Sequence, residues 1–121
     1  MPRRLSISAK RKSRQENKVI LALKDEVRKN IRKFPEIKKV LLFGSRARDD
    51  WGLKSDADVL VVLKKSQHKR FFDRIPRYLD LFSKASFPID VFPYTEEELG
   101  RMQKKGNKLI LRALKEGVLL S

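Results

Sequence analysis

Two aspartates open an apolar run in the middle of the chain. Asp56 and Asp58 flank Ala57, and the apolar residues continue from Val59 to Leu63. In an extended strand, residues two apart project from the same face, so we predict that the two carboxylates lie side by side while Ala57 turns away. Neighbouring carboxylates repel each other unless a cation lies between them, and a divalent metal is the usual cation. The pair therefore predicts a metal site.

A Gly-Ser pair precedes the aspartates and follows an earlier apolar run. That run ends at Phe43 and gives way to Gly44 and Ser45, after which come Arg46 and Arg48. A strand that leads into Gly-Ser and a short helix presents free backbone N–H groups and a positive helix end, which suit a phosphate. Arginine adds paired hydrogen bonds to phosphate oxygens. We therefore predict a phosphate-binding loop next to the metal site.

A third carboxylate lies in a later apolar segment. Asp90 stands between Ile89 and Val91, and in a strand it would face away from both. A single strand aspartate is often only a charge that protects a sheet edge. Because this one follows a carboxylate pair, we predict that Asp90 is the third metal ligand.

These three features together resemble the nucleotidyltransferase superfamily of DNA polymerase beta. The segments GSRAR, from Gly44, and SDAD, ending at Asp58, in a short chain look most like the minimal nucleotidyltransferases. The resemblance extends from about Val40 to Tyr94. It implies an α+β fold (an α/β sandwich), in which helices flank a small mixed sheet of three to four strands.

The resemblance also implies an enzyme and its reaction. Such a protein transfers a nucleoside monophosphate, here AMP from ATP, to an acceptor hydroxyl and releases pyrophosphate. Two Mg²⁺ ions, or Mn²⁺ in their place, would be held by Asp56 and Asp58, and Asp90 would join on the ion that activates the acceptor. The nucleotide-binding residues that it implies are Gly44, Ser45, Arg46 and Arg48.

Members of this family commonly work with a partner protein. Many are the antitoxin half of a two-gene module and modify a helical HEPN-type toxin, so the acceptor would be a protein hydroxyl. Two alternatives stay open: a catalytically weak, nucleotide-binding antitoxin that acts by contact, or transfer to RNA or a small molecule. Because the chain is short, we expect a partner chain or a homodimer to complete the acceptor site.

Charge is distributed unevenly along the 121 residues, whose net charge is +15. Residues 1–39 contain 14 Lys and Arg against 4 Asp and Glu, whereas residues 40–100 contain 10 of each. The excess makes nucleic acid a possible partner, through a basic arm at residues 1–15 and the first helix. The sequence has no cysteine and no apolar run of the ~20 residues that a membrane span needs, so we expect a cytoplasmic protein without a membrane partner.

Hydrophobic periodicity predicts a single domain over residues 16–121, preceded by the mobile basic arm. Pro76 predicts a kink in the second helix, or a short helix followed by another. We expect Pro88 and Pro93 to mark the ends of the third strand and Gly117 to be the C-cap of the last helix. Thr95 and Glu98 have the spacing of a capping box. The predicted helices cover residues 16–34, 70–85, 96–105 and 108–116, and the predicted strands cover residues 37–43, 57–63, 87–94 and 118–120.

Overall fold

The structure, a computed structural model, describes residues 20–44, 57–85 and 88–121. In these ranges four strands form one mixed sheet in the order β3-β2-β1-β4. β1 pairs antiparallel with both β2 and β4, whereas β2 and β3 run parallel. The mixed sheet confirms the predicted fold class; the predicted arm at residues 1–15 lies outside the described residues. The strands are β1 (Ile37–Phe43), β2 (Ala57–Leu63), β3 (Ile89–Thr95) and β4 (Val118–Leu119).

Helices cover both faces of this sheet. The structure describes the first predicted helix from residue 20 onward. This part is α1 (20–30), and it continues into a 3-10 turn (Ile31–Lys33). The others are α2 (Phe71–Leu79), α3 (Glu96–Lys104) and α4 (Lys108–Glu116). Within the described ranges, none of these helices combines the length and the apolar character needed to span a bilayer.

Successive side chains along β1 and β2 point alternately into two buried layers, one on each face of the sheet. On one face, side chains of β1 and β2 pack against α1, the end of α2 and the 3-10 turn after it. On the other face, the alternate side chains pack against α3 and α4. The first layer includes Leu23, Val27, Val40, Leu42, Val59, Val61, Tyr78 and Leu81, and the second includes Leu41, Phe43, Leu60, Val62, Leu99, Ile110 and Ala113.

The ends of α3 and α4 follow from their sequences. The Glu98 backbone N–H donates to Thr95 Oγ1 at 3.2 Å, and the Thr95 N–H donates to Glu98 Oε1 at 2.8 Å. This reciprocal pair confirms the predicted capping box. Asn107 caps α4 by accepting from the Ile110 N–H at 3.1 Å, and Gly117 is the C-cap of α4, as predicted.

One expectation about β3 was wrong. Pro88 and Pro93 were expected to mark its ends, but the strand runs Ile89–Thr95 with Pro93 inside it. The Pro93 carbonyl accepts a hydrogen bond from Arg74 at the open edge of the sheet. Because the N–H and C=O of one strand residue point the same way, the N–H that proline lacks would also face this edge and not β2, so no ladder bond is lost.

The expectation of a short helix followed by another around Pro76 is confirmed, but the two pieces do not divide at the proline. Helix α2 continues through Pro76 to Leu79, and the second helical piece is a 3-10 turn (Asp80–Phe82). Proline removes only one N–H from the ladder, and the buried side chains of Arg74 and Tyr78 on either side hold the helix against the sheet. Packing therefore outweighs the local preference of proline here.

Candidate functional site

Two of the predicted carboxylates are neighbours at one end of the sheet. In the parallel register of β2 and β3, Asp58 lies directly opposite Asp90. Directly paired residues of adjacent strands lie about 4.8 Å apart and project from the same face. On its other side Asp58 pairs with Phe43, the last residue of β1. Asp58 is partly buried and Asp90 is exposed, so the pair opens toward solvent.

An apolar layer lies next to this pair on the same face. Phe92 follows Asp90 by two residues, and the centroid of its ring lies 5.4 Å from the centroid of the Phe43 ring. Ala57 is fully buried in the layer on the opposite face, as the alternation predicts. The carboxylates therefore stand at the edge of an apolar region, where a cation is attracted more strongly than it would be in bulk water.

Gly44 lies against one of these carboxylates. Its φ is +79°, in the left-handed region that favours glycine. A Cβ atom built on Gly44 would lie 2.6 Å from Asp58 Oδ2, closer than real contacts allow. Any side chain at this position would displace the Asp58 carboxylate or the backbone. The structure therefore gives Gly44 a role in seating Asp58, in addition to the predicted approach of its backbone to phosphate.

The chemistry of these residues suits a hard divalent cation. Asp58 and Asp90 offer carboxylate oxygens, the ligands that Mg²⁺ and Mn²⁺ prefer. The parts of the chain that the structure describes contain no group of three acidic or histidine side chains placed to hold a metal. The third predicted ligand, Asp56, lies outside the described residues, and so do Ser45, Arg46 and Arg48.

A model of one protein family matches most of the chain. It is the nucleotidyltransferase domain, and the match covers residues 23–119, which include Gly44, Asp58 and Asp90. The chain belongs to this nucleotidyltransferase domain family. The match supports the broad part of the resemblance seen in the sequence, namely a transferase of nucleotides.

Solved structures share the nucleotidyltransferase fold. A candidate nucleotidyltransferase from Sulfolobus solfataricus is 26% identical, with a TM-score of 0.59, over 89% of this chain and 84% of that one. A toxin–antitoxin structure with AMP-PNP is 18% identical, with a TM-score of 0.53, over 81% of this chain and 72% of that one. Comparison with curated proteins gives no match.

Aromatic side chains, to which the sequence analysis assigned no role, continue the face of the sheet that carries Asp58 and Asp90. Asp90, Phe92 and Tyr94 share one face of β3. The Phe71 ring of α2 stacks on the Tyr94 ring, with 4.7 Å between the ring centroids, and its centroid lies 6.5 Å from that of Phe92. The alternation of these three β3 residues was visible in the sequence. The contact with Phe71 was not, because it depends on how α2 packs.

A partly buried ion pair anchors the other end of β3. Arg74 is only 3% exposed and donates to both carboxylate oxygens of Glu98, at 2.6 and 3.0 Å, as well as to the Pro93 carbonyl. These bonds from Arg74 lower the pKa of Glu98 to about 2. The strand that carries Asp90 is therefore held firmly by α2 and α3. The capping box revealed one role of Glu98, but no sequence signal indicated its pairing with Arg74.

A separate cavity lies at the opposite end of the sheet. Its volume is about 640 Å³, and it is lined by residues that include Glu36, His68 and Tyr78. Tyr78 donates to Glu36 Oε2 at 2.6 Å, and burial together with this carboxylate raises the pKa of Tyr78 to about 12. Because the side chains here satisfy one another, we assign the cavity no part in the chemistry of Asp58 and Asp90.

Proposed function

We propose that this protein transfers a nucleoside monophosphate, AMP from ATP, to an acceptor hydroxyl and releases pyrophosphate. The observation that carries the proposal is the register of β2 and β3, which sets Asp58 beside Asp90 on one face. Membership of the nucleotidyltransferase domain family supports the reaction class.

The transfer breaks one bond and forms another. The acceptor oxygen attacks the α-phosphorus of ATP, the bond from that phosphorus to the oxygen bridging to the β-phosphate breaks, and pyrophosphate leaves. Asp90 is exposed at the open edge of the sheet, so an acceptor can approach it from outside, and it takes the proton of the acceptor hydroxyl.

Asp58 and Asp90, together with the predicted Asp56, would hold Mg²⁺ or Mn²⁺. When bound, this cation supplies positive charge to the phosphate oxygens and lowers the pKa of the acceptor hydroxyl. Gly44 leaves room for the Asp58 carboxylate to keep its position. We assign Ser45, Arg46 and Arg48 to the triphosphate, on the strength of the sequence resemblance.

The proposed acceptor lies on a partner protein. Minimal nucleotidyltransferases, which the sequence resembles, modify HEPN-type toxins, and one protein of the same fold belongs to a toxin–antitoxin structure with AMP-PNP. We therefore propose that this chain acts as the antitoxin of such a module, in the cytoplasm. Its action by contact alone is the competing proposal.

The test follows the α-phosphate. ATP labelled at that position is incubated with Mg²⁺, the protein and the product of the neighbouring gene. The double variant Asp56→Asn/Asp58→Asn runs beside the wild type, and Asp73→Asn, which changes an exposed carboxylate in the first turn of α2, is the matched control.

We expect wild type and the Asp73→Asn control to label the partner, and the double variant to label it more than about 100-fold more slowly. A stable complex of the partner with all three proteins, and label on none, would show that the protein acts by contact. Equal labelling by the double variant would remove the carboxylates from the reaction.

A further inference from the structure

The segment that joins β2 to α2 combines basic and aromatic residues at the surface. Residues 64–72 read KKSQHKRFF, with four Lys and Arg and no Asp or Glu. We call this segment the basic–aromatic surface. Its four basic residues and its last phenylalanine are all exposed: Lys64, Lys65, Lys69, Arg70 and Phe72.

Phe72 is an unusual side chain for a protein surface. It is 78% exposed, more than any other large apolar residue in the described ranges. Its ring is nevertheless held in place, because it meets Phe71 edge to face at 5.4 Å, and Phe71 is itself stacked on Tyr94 at 4.7 Å. The molecule thus presents a supported aromatic ring to solvent.

The four basic side chains of the same segment are accessible to a ligand. The ion pairs found within the described parts of the chain use other residues, such as Arg74 with Glu98 and Arg77 with Glu36. The ion pairs described therefore leave out all four basic side chains of the segment. These four positive charges are part of the net +15 of the protein.

The backbone of the surface is held by hydrogen bonds. Arg74 donates to the carbonyls of His68, at 2.8 Å, and Lys69, at 3.2 Å, and the Lys64 N–H donates to the Glu36 carbonyl at 2.8 Å. The Arg74 guanidinium is buried, so these bonds are shielded from water. A ligand would therefore meet a segment that is already ordered, which reduces the entropy lost on binding.

We propose that the basic–aromatic surface binds single-stranded nucleic acid. Exposed rings among cations are the combination that such strands need, because unpaired bases stack on the ring while Lys and Arg neutralise the phosphates. A duplex keeps its bases stacked on one another, so it could use the cations but not Phe72. An acidic peptide could also use the cations, but it has no base to stack on a protruding ring.

This binding is separate from nucleotidyl transfer. Phe71 packs on Phe92 and Tyr94, two and four residues beyond Asp90, so the surface lies roughly 7–13 Å along β3 from that carboxylate. None of its residues belongs to the proposed catalytic or nucleotide-binding set. The proposal can therefore succeed or fail whatever happens in the transfer reaction.

The experiment measures the affinity of the full-length chain for a labelled 12-nucleotide RNA by fluorescence anisotropy. The affinity for the single strand is compared with the affinity for the same RNA as a duplex. Phe72→Ala removes the ring, and Phe72→Trp restores a stacking surface. Leu109→Ala, at a side chain 45% exposed on α4, is the control for loss of an exposed apolar group. Lys69→Gln/Arg70→Gln is matched by Lys104→Gln/Lys105→Gln at the end of α3, where both lysines are also exposed.

We expect Phe72→Ala to weaken binding of the single strand by about tenfold and to leave duplex binding unchanged. Phe72→Trp should bind like wild type. Bound RNA should quench the fluorescence that the new tryptophan adds to that of Trp51. Lys69→Gln/Arg70→Gln should lower both the affinity and its dependence on salt more than the matched pair does.

Three results would overturn the proposal. The first is failure of the wild type to bind the single strand, and the second is wild-type affinity of Phe72→Ala. The third is displacement of the RNA by polyglutamate as effectively as by unlabelled RNA, which would make this a site for acidic polypeptides.

Discussion

The two ends of β3 handle charge in opposite ways. At its start, Asp90 lies beside Asp58, and two groups of the same sign share one face of the sheet. Near its end, Arg74 binds the Pro93 carbonyl and both oxygens of Glu98, so opposite charges are paired, with the arginine buried and the glutamate partly buried. The same strand thus carries a pair of like charges at one end and a pair of opposite charges at the other.

This difference allows the proposed ligand-binding residues to be distinguished by experiment from residues that stabilise the fold. Removal of one member of a buried ion pair is strongly destabilising, because the other charge is left without its partner. Adjacent carboxylates repel each other, and they do chemical work when a cation joins them. Substitutions at the two ends should therefore change different measured quantities.

The largest effect on stability is expected at Arg74. Arg74→Met leaves Glu98 and the Pro93 carbonyl without their buried partner, so the free energy of unfolding should fall by about 3–5 kcal/mol. Arg77→Met is the matched control, because its pair with Glu36 is 46% exposed on the arginine side and should contribute less than about 1 kcal/mol. Urea unfolding measures both. Equal losses would show that burial does not distinguish the two pairs.

Gly44 offers a test at the opposite end. Gly44→Ala and Gly106→Ala both place a side chain at positive φ, +79° and +74°, and each should lose about 1 kcal/mol of stability. Only at Gly44 does the new Cβ collide with Asp58, whereas nothing lies within 4 Å of that position at Gly106. Transfer from ATP should therefore fall about 100-fold for Gly44→Ala alone. Equal rates in the two variants would exclude the seating role of Gly44.

A smaller effect should appear in the pH dependence of stability. The folded protein holds the pKa of Glu98 at about 2, below its ordinary value of 4.5, because Arg74 binds the ionised form. The stabilisation is therefore complete above about pH 4.5 and is lost as the pH falls toward 2.

The free energy of unfolding of Glu98→Gln should lie roughly 2 kcal/mol below that of wild type at pH 7, and this gap should close near pH 2. Glu97→Gln, at a side chain that is 82% exposed, should show no such gap at either pH. A gap for Glu98→Gln that persists unchanged at pH 2 would contradict ionisation as its cause.

Local signals in the sequence were enough to predict most of the elements. Apolar runs placed β1 and β2, and the capping box placed the start of α3, because neighbouring residues determine these features. Pro93 was misjudged because its effect depends on which edge of the strand is open, and only the sheet order reveals that.

The site could be predicted in part for the same reason. The spacing of Gly44, Asp58 and Asp90 pointed to one chemistry, and the register then placed Asp58 beside Asp90. The pairing of Arg74 with Glu98 joins residues 24 positions apart, and the contact between Phe71 and Tyr94 depends on the packing of α2. Such contacts arise from tertiary structure and leave no pattern in neighbouring residues.

One comparison of rates tests the central claim most directly. It measures transfer of the labelled α-phosphate of ATP to the partner protein by Asp90→Asn and by Glu98→Gln, each a change from carboxylate to amide, at a temperature where both variants are folded. We predict that Asp90→Asn loses more than about 100-fold in rate, while Glu98→Gln stays within about twofold of wild type. Transfer by Asp90→Asn at the wild-type rate would contradict the assignment of catalysis to the start of β3.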